Sequence, residues 1–168
     1  GEVGLSLAKY LAAEDMQVTV IDEDAERLQK ISATIDVRTL VGKTFNPNIL
    51  YDANAADTDL LISVTENDES NILACEIAKI IFKVPRTMAR IKEKELIEDK
   101  WSDLFSNEGF KVDNIISPEG EVAKMLARLV AVSGAHDLIS FADDKIRLIG
   151  LKLDKDCPVL DTPLKQLT

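Results

Sequence analysis

Short apolar runs, each closed by turn residues and followed by a helical pattern, recur along most of this chain. That alternation constrains the fold more than any single motif. The runs are Val18-Thr19-Val20-Ile21, Val37-Arg38-Thr39-Leu40-Val41, Leu60-Leu61-Ile62-Ser63-Val64, Thr87-Met88-Ala89-Arg90-Ile91 and Asp113-Asn114-Ile115-Ile116. Helical patterns fall between them near Asp24–Ile35, Pro47–Ala55, Glu69–Lys83 and Glu93–Asn107. Largely apolar strands separated by helices belong to a parallel sheet covered on both faces. Right-handed crossovers then give an α/β fold, a Rossmann-like doubly wound parallel sheet.

The opening residues sharpen this expectation. Gly1-Glu2-Val3-Gly4 has the form of the second half of a Gly-x-Gly-x-x-Gly loop, a helix is expected from Val3 to about Asp15, and the next strand ends in Asp22. About twenty residues separate a pyrophosphate loop from the acid that accepts hydrogen bonds from the adenosine ribose, and the interval here matches. Glycines let the backbone approach the pyrophosphate, and the helix N-terminus offers it free amides. Asp22 has a second reading as a helix cap, because Asp24 and Glu26 follow it at a helix start. No apolar strand and no first glycine stand before Gly1. Such a strand occupies the centre of a doubly wound sheet, so roughly eight residues of the natural domain are expected to precede Gly1.

Composition excludes several partners. A net charge of −10 repels phosphate backbones and anionic headgroups, which argues against nucleic acid and against direct membrane insertion. No apolar run reaches the length of a membrane span, and no secretory signal is visible. With 46% apolar residues in 168, one domain plus an appended piece is expected. Cys75 and Cys157 show no metal or redox spacing and read as small core side chains in a reducing cytosol. The single histidine, His136, is expected on a surface turn.

The pattern changes after Ile116. Ser117-Pro118-Glu119 is a helix start, with serine as cap and proline at the first helical position. Val122, Met125, Leu126, Leu129 and Val130 share one helical face, which either covers the sheet or pairs two domains. That helix is expected to stop near Ser133-Gly134. Alternating strands follow at Asp137–Phe141 and Lys145–Leu153, joined by Asp143-Asp144. An antiparallel hairpin is foreign to the preceding pattern, so a boundary is expected near Gly134. Residues 1–134 would form a Rossmann-like nucleotide-binding domain, and 135–168 the incomplete beginning of a small α+β C-terminal domain.

Gly1-Glu2-Val3-Gly4, Val20-Ile21-Asp22, Val64-Thr65-Glu66-Asn67-Asp68-Glu69-Ser70-Asn71, Ala89-Arg90-Ile91-Lys92 and Ile116-Ser117-Pro118-Glu119 form an ordered set of blocks. In that order and spacing they resemble the regulator-of-potassium-conductance (KTN) domain of the TrkA family of potassium uptake proteins. The resemblance covers nearly the whole chain, and the segment from about His136 resembles the start of that family's C-terminal domain. It implies a cytosolic, non-catalytic regulatory subunit that binds NAD(H) or ATP/ADP. It also implies a homo-oligomer, dimer or ring, at the inner face of the cell membrane, gating a TrkH/TrkG-type membrane potassium transporter. Carried onto this chain, the resemblance gives Gly1, Glu2, Val3 and Gly4 to the pyrophosphate and Asp22 to the ribose. Thr65 and Glu66 would line the cleft, Arg90 would reach the phosphates, and Glu119 would serve a divalent cation. Two departures stand out: the loop's first glycine is absent, and Gly42-Lys43-Thr44 puts a cation beside the adenine end, where the family has a small or acidic residue.

Several residues carry two readings. Arg90 lies in an apolar strand and has to meet an anion, either a ligand phosphate or a structural carboxylate. Asp68 and Glu69 suit a helix N-terminus electrostatically without any ligand. Asn71 either contacts ligand or caps a loop. Trp101 and Phe105, four apart, fit core packing or an interface. Function has alternatives too. A nicotinamide-dependent oxidoreductase would use the same cleft, although Tyr10 and Tyr51 lack a lysine four residues on and no His–acid pair is evident. A structural pairing subunit without ligand is the third reading. Asp22 favours NAD over NADP, because a carboxylate repels a 2′-phosphate.

Overall fold

Helix starts in this chain follow their capping side chains. Asp24 accepts from the Arg27 amide at 3.0 Å ahead of α2 (Ala25–Ser32). Asn46 accepts from the Asn48 amide at 2.9 Å ahead of α3 (Pro47–Asp52), where proline takes the first turn. Asn67 accepts from the Ser70 amide at 2.7 Å ahead of α4 (Asp68–Ile80). Each cap satisfies an amide that the helix itself leaves without a partner. The computed structural model describes residues 1–168 apart from 107, 119, 121, 124, 125, 128–134, 142–144, 156, 158, 159, 161, 162, 167 and 168.

The chain forms two compact units, Gly1–Ser117 and Pro118–Thr168. The first opens with α1 (Glu2–Ala13) and alternates β1 (Thr19–Asp22), α2, β2 (Arg38–Val41), α3, β3 (Leu60–Ser63), α4, β4 (Arg86–Arg90) and β5 (Asn114–Ile116). All pairings in this unit are parallel. β1 pairs with β2 from Thr19↔Arg38 to Asp22↔Val41, and β4 lies between β3 and β5 in a separate ladder. The doubly wound expectation therefore holds, with the ladder in two pieces. Ile21 of β1 and Leu61 of β3 nevertheless pack on one core cluster of Leu50, Ala55, Ala78 and Val84. A second cluster, Ile72, Cys75, Ala89, Ile91 and Val112, lies between α4 and β4. Burial pushes the Cys75 thiol up to about 12, with help from the Asp113 and Glu76 charges, and its sulfur donates to the Met88 carbonyl.

One expected helix is absent. Residues 93–106 form two 3₁₀ segments, Lys94–Ile97 and Asp99–Phe105, separated by Glu98 in extended conformation. The apolar residues of this stretch are set apart by charge. The break at Glu98 lets Leu96, Ile97 and Phe105 all turn onto the second cluster. Phe105 meets the core expectation, whereas Trp101 stays half-exposed.

In the second unit, β6 (Ala135–Phe141) and β7 (Ile146–Leu151) pair antiparallel from Phe141↔Ile146 outward. His136 lies within β6, beside a register irregularity between Ala135 and Asp137, and not on a surface turn. The irregularity carries the strand through this position. Pro118, Gly120, Val122, Ala123, Leu126 and Ala127 are helical, and Val122 and Leu126 are exposed. The boundary expected at Gly134 and the helix end around it lie outside the described residues. The compact units divide earlier, at the serine-proline helix start.

Candidate functional site

Parallel strands carry their carboxyl ends to one edge, and ligands of open α/β sheets lie in the crevice beyond that edge. Asp22 ends β1, Thr65 and Glu66 follow β3, and Arg90 ends β4, so each lies at the carboxyl end of a parallel strand. The N-terminus of α1 joins them. The Gly1 nitrogen lies 3.4 Å from Asp22 Oδ2, and the Cβ position of Gly1 lies 3.6 Å from Glu66 Oε1. Gly4 abuts Val64, with 3.3 Å between its Cβ position and the valine methyl. Glu2 and Val3 are exposed in the first helical turn.

Asp22 is held by local donors. Its Oδ1 accepts from the Asp24 amide at 3.0 Å, and its Oδ2 accepts from Arg27 Nη1 at 3.0 Å. Burial raises its carboxyl, but the Asp24 amide and the Arg27 guanidinium outweigh this, and the net direction is down. The cap of α2 is Asp24, so Asp22 is left for another use. Arg27 was not singled out by the sequence, although a signal existed. A cation in the first turn of a helix opposes the macrodipole and needs an acid nearby, here Asp22 and Asp24.

The β3–β4 end is organised by Asn71, which is fully buried. Its Oδ1 accepts from Ser63 Oγ at 3.0 Å, the Thr65 amide at 2.8 Å and Thr65 Oγ1 at 2.7 Å. Its amide nitrogen donates to the Thr65 and Arg90 carbonyls at 3.1 and 2.9 Å. Asn71 is thus a structural clamp, and the Thr65 hydroxyl is engaged within it. Asp68, also buried, accepts from the Lys92 and Glu93 amides at 2.8 and 2.9 Å, pinning the segment after β4 to the start of α4.

That pinning sets up a cation pair. Arg90, 8% exposed, donates from Nη1 to Glu66 Oε1 at 3.1 Å. Lys92 donates to the Glu66 carbonyl at 3.1 Å and also to Glu66 Oε2. The hydrogen bond and charge of Lys92, followed by the charge of Arg90, hold the Glu66 carboxyl below the usual range. Arg90 therefore meets a carboxylate, and Lys92 is a second cation that sequence reasoning passed over. Lys43, expected beside the adenine end, lies with its ammonium 5.8 Å from the centre of the Phe45 ring in its own loop. Gly42 before it is required by close approach, since a Cβ there would come within 2.6 Å of Ile49.

Glu119 lies outside the described residues, and among the described residues no group of three or more His, Cys, Asp or Glu side chains could hold a metal ion. A depression of about 410 Å³ lined by Arg38, Tyr51, Asp52, Asn54, Ala56 and Phe82 sits at the amino ends of the strands, on the opposite edge. The carboxyl edge brings together an acid, a helix N-terminus and two cations. Such a pattern suits a ligand bearing vicinal hydroxyls at one end and phosphates at the other.

Fold and site together define a Rossmann-like α/β domain. Solved structures share that fold: the TrkA-N domain of the inner membrane protein YbaL from Escherichia coli (TM-score 0.65, 20% identity, 77% of this chain and 90% of that one), and the GsuK channel bound to NAD (TM-score 0.61, 12% identity, 82% of this chain and 23% of that one). The TrkA-N domain family profile matches residues 1–118, and the chain belongs to that family. It is 38% identical over 168 residues to the Trk system potassium uptake protein TrkA of Azorhizobium caulinodans, covering 100% of this chain and 37% of the relative. It is 38% identical over 152 residues to the TrkA of Haemophilus influenzae, covering 90% of this chain and 33% of that protein. The chain thus spans about a third of the length of these two relatives. Among the described residues no helix is long and apolar enough to cross a membrane.

Proposed function

We propose that this chain is the nucleotide-binding part of a regulatory subunit of a potassium uptake system. An adenosine diphosphate moiety, presented by NAD(H) or by ATP/ADP, binds the crevice at the carboxyl edge. Asp22 accepts from the ribose hydroxyls, the amides of the first turn of α1 face the pyrophosphate, and Arg90 with Lys92 neutralises it. The subunit works in the cytosol as a homo-oligomer and gates a membrane potassium transporter of the TrkH/TrkG type, without catalysing a reaction on the nucleotide. Ligand moves the gate only by its differential affinity for two arrangements of the assembly.

The observation that supports this reading best is the convergence of Gly1, Asp22 and Glu66 at the N-terminus of α1, with Arg90 and Lys92 behind Glu66. The names of the relatives support the potassium side. A thermal-shift series with NADH, NAD, ADP, ATP and NADP tests it, because ligand at a hundred times its dissociation constant adds about 2.7 kcal/mol. Stabilisation by at least one adenine nucleotide, lost in Asp22→Ala, is expected. A flat response to all of them overturns the reading.

A further inference from the structure

Glu66 stands out at this edge because the chain places an acid where its own cations converge. The carboxylate bridges Arg90 Nη1 and Lys92 Nζ, which come from the end of β4 and the residue pair just beyond it. Glu66 Oε1 also lies at the N-terminus of α1, 3.6 Å from the Cβ position of Gly1. One carboxylate thus occupies the place where two cations and a helix N-terminus meet, which is the electrostatic definition of a phosphate position.

The two sides of this contact differ in mobility. The Glu66 side chain is 74% exposed, and its carboxylate partners among the described residues are these two cations. The backbone that carries the cations is anchored independently of it. Arg90 is buried and its carbonyl is bound by Asn71, while the Lys92 and Glu93 amides are bound by the buried Asp68. Glu66 can therefore swing into solvent without opening a cavity, and the backbone that carries the two cations stays in place when it does.

We propose that Glu66 is a built-in competitor at the candidate site: its carboxylate stands in for a ligand phosphate on Arg90 and Lys92, and a ligand phosphate that engages those cations displaces it. This rests on the nucleotide reading above and deepens it. A pyrophosphate brings more charge and more acceptor oxygens than the carboxylate it replaces, whereas adenosine alone brings nothing to the exchange. Glu66 consequently holds down the affinity for the diphosphate and leaves that for the bare nucleoside as it is.

Calorimetric titration of the full chain with inorganic pyrophosphate, ADP and adenosine tests this, using wild type, Glu66→Gln, Glu66→Ala and the control Glu69→Gln. Glu69 is an exposed neighbour, so its variant removes the same charge without touching the cations. Exposed ion pairs are individually weak, and releasing two of them is expected to tighten pyrophosphate and ADP roughly three- to tenfold in both Glu66 variants. Adenosine binding and the Glu69→Gln affinities stay unchanged. Weaker pyrophosphate binding in Glu66→Gln shows that Glu66 contacts ligand directly and overturns the proposal, as do equal affinities in all proteins or no pyrophosphate binding by any. Tighter pyrophosphate without any ADP binding keeps the proposal and removes the nucleotide reading. ADP binding that is indifferent to Glu66 does the reverse.

Discussion

The half of the sheet that carries Arg90 and the half that carries Asp22 hold their site residues by different means. Around β3, β4 and α4, Ser63, Asn71, Cys75, Thr87, Ala89, Arg90 and Ile91 are all buried. Their bonds run far along the sequence, as when Asn71 reaches the Arg90 carbonyl or Thr87 binds Asp113 and Lys111. In β1 and β2 no residue is buried, and the burial of that half comes from Leu28 and Ile31 on α2. Asp22 is held by Asp24 and Arg27, its near neighbours in sequence. The Arg90 end of the carboxyl edge is thus set by tertiary structure, and the Asp22 end by a local turn that adjusts more easily.

The strongest way to break this comparison is to remove its clamp. Asn71→Ala leaves Ser63, Thr65 and the Arg90 carbonyl with unmet hydrogen-bonding groups in a buried place. A loss of about 3 kcal/mol or more is expected in chemical denaturation. Ile21→Ala, in the looser half, is expected to cost about 1–2 kcal/mol because that side chain is only half-buried. Equal losses would show the two halves to be equally anchored. At the site itself, Arg90→Ala is expected to weaken ADP by roughly thirtyfold, the lower end for a buried charge partner. Asp22→Asn is expected to act less, about fivefold on NAD, and to narrow the preference for NAD over NADP.

The smallest effect concerns acid. Burial raises the Asp113 carboxyl, but hydrogen bonds from Lys79 and from the Thr87 amide and hydroxyl outweigh it, so its folded value lies below the ordinary 3.8. A depressed carboxyl contributes stability that is present above its unfolded value and lost as pH falls through the folded one. Asp113→Asn is therefore expected to lower stability at neutral pH slightly and to flatten the acid limb below about pH 4. An unchanged acid limb would move that linkage to other carboxylates, Asp22 foremost.

The alternation of apolar strands with capped helices was legible because each element writes its own signal. Asp24, Asn46 and Asn67 start helices where their side chains reach the first amides. The placing of Asp22, Thr65, Glu66 and Arg90 at the carboxyl ends of parallel strands was legible too, since the alternating pattern dictates it. What the sequence hid were partners chosen by tertiary packing. Asn71 looks like a loop cap until β3 and β4 stand beside it, and Lys92 looks like a solvated charge until Asp68 pins its backbone. The 3₁₀ segments around Glu98 were hidden for the same reason, because a charged stretch winds however its few apolar residues are drawn inward. Arg27 was readable in principle, as a cation on the wrong end of a helix.

The chemistry of Cys75 carries one more consequence. Its thiol is buried and pushed up to about 12, so almost no thiolate exists at neutral pH to meet an alkylating reagent. Cys157, in the second unit, is partly accessible. A maleimide dye added to the native chain would accordingly mark one unit and leave the other dark, a ready-made optical reporter that needs no engineered cysteine.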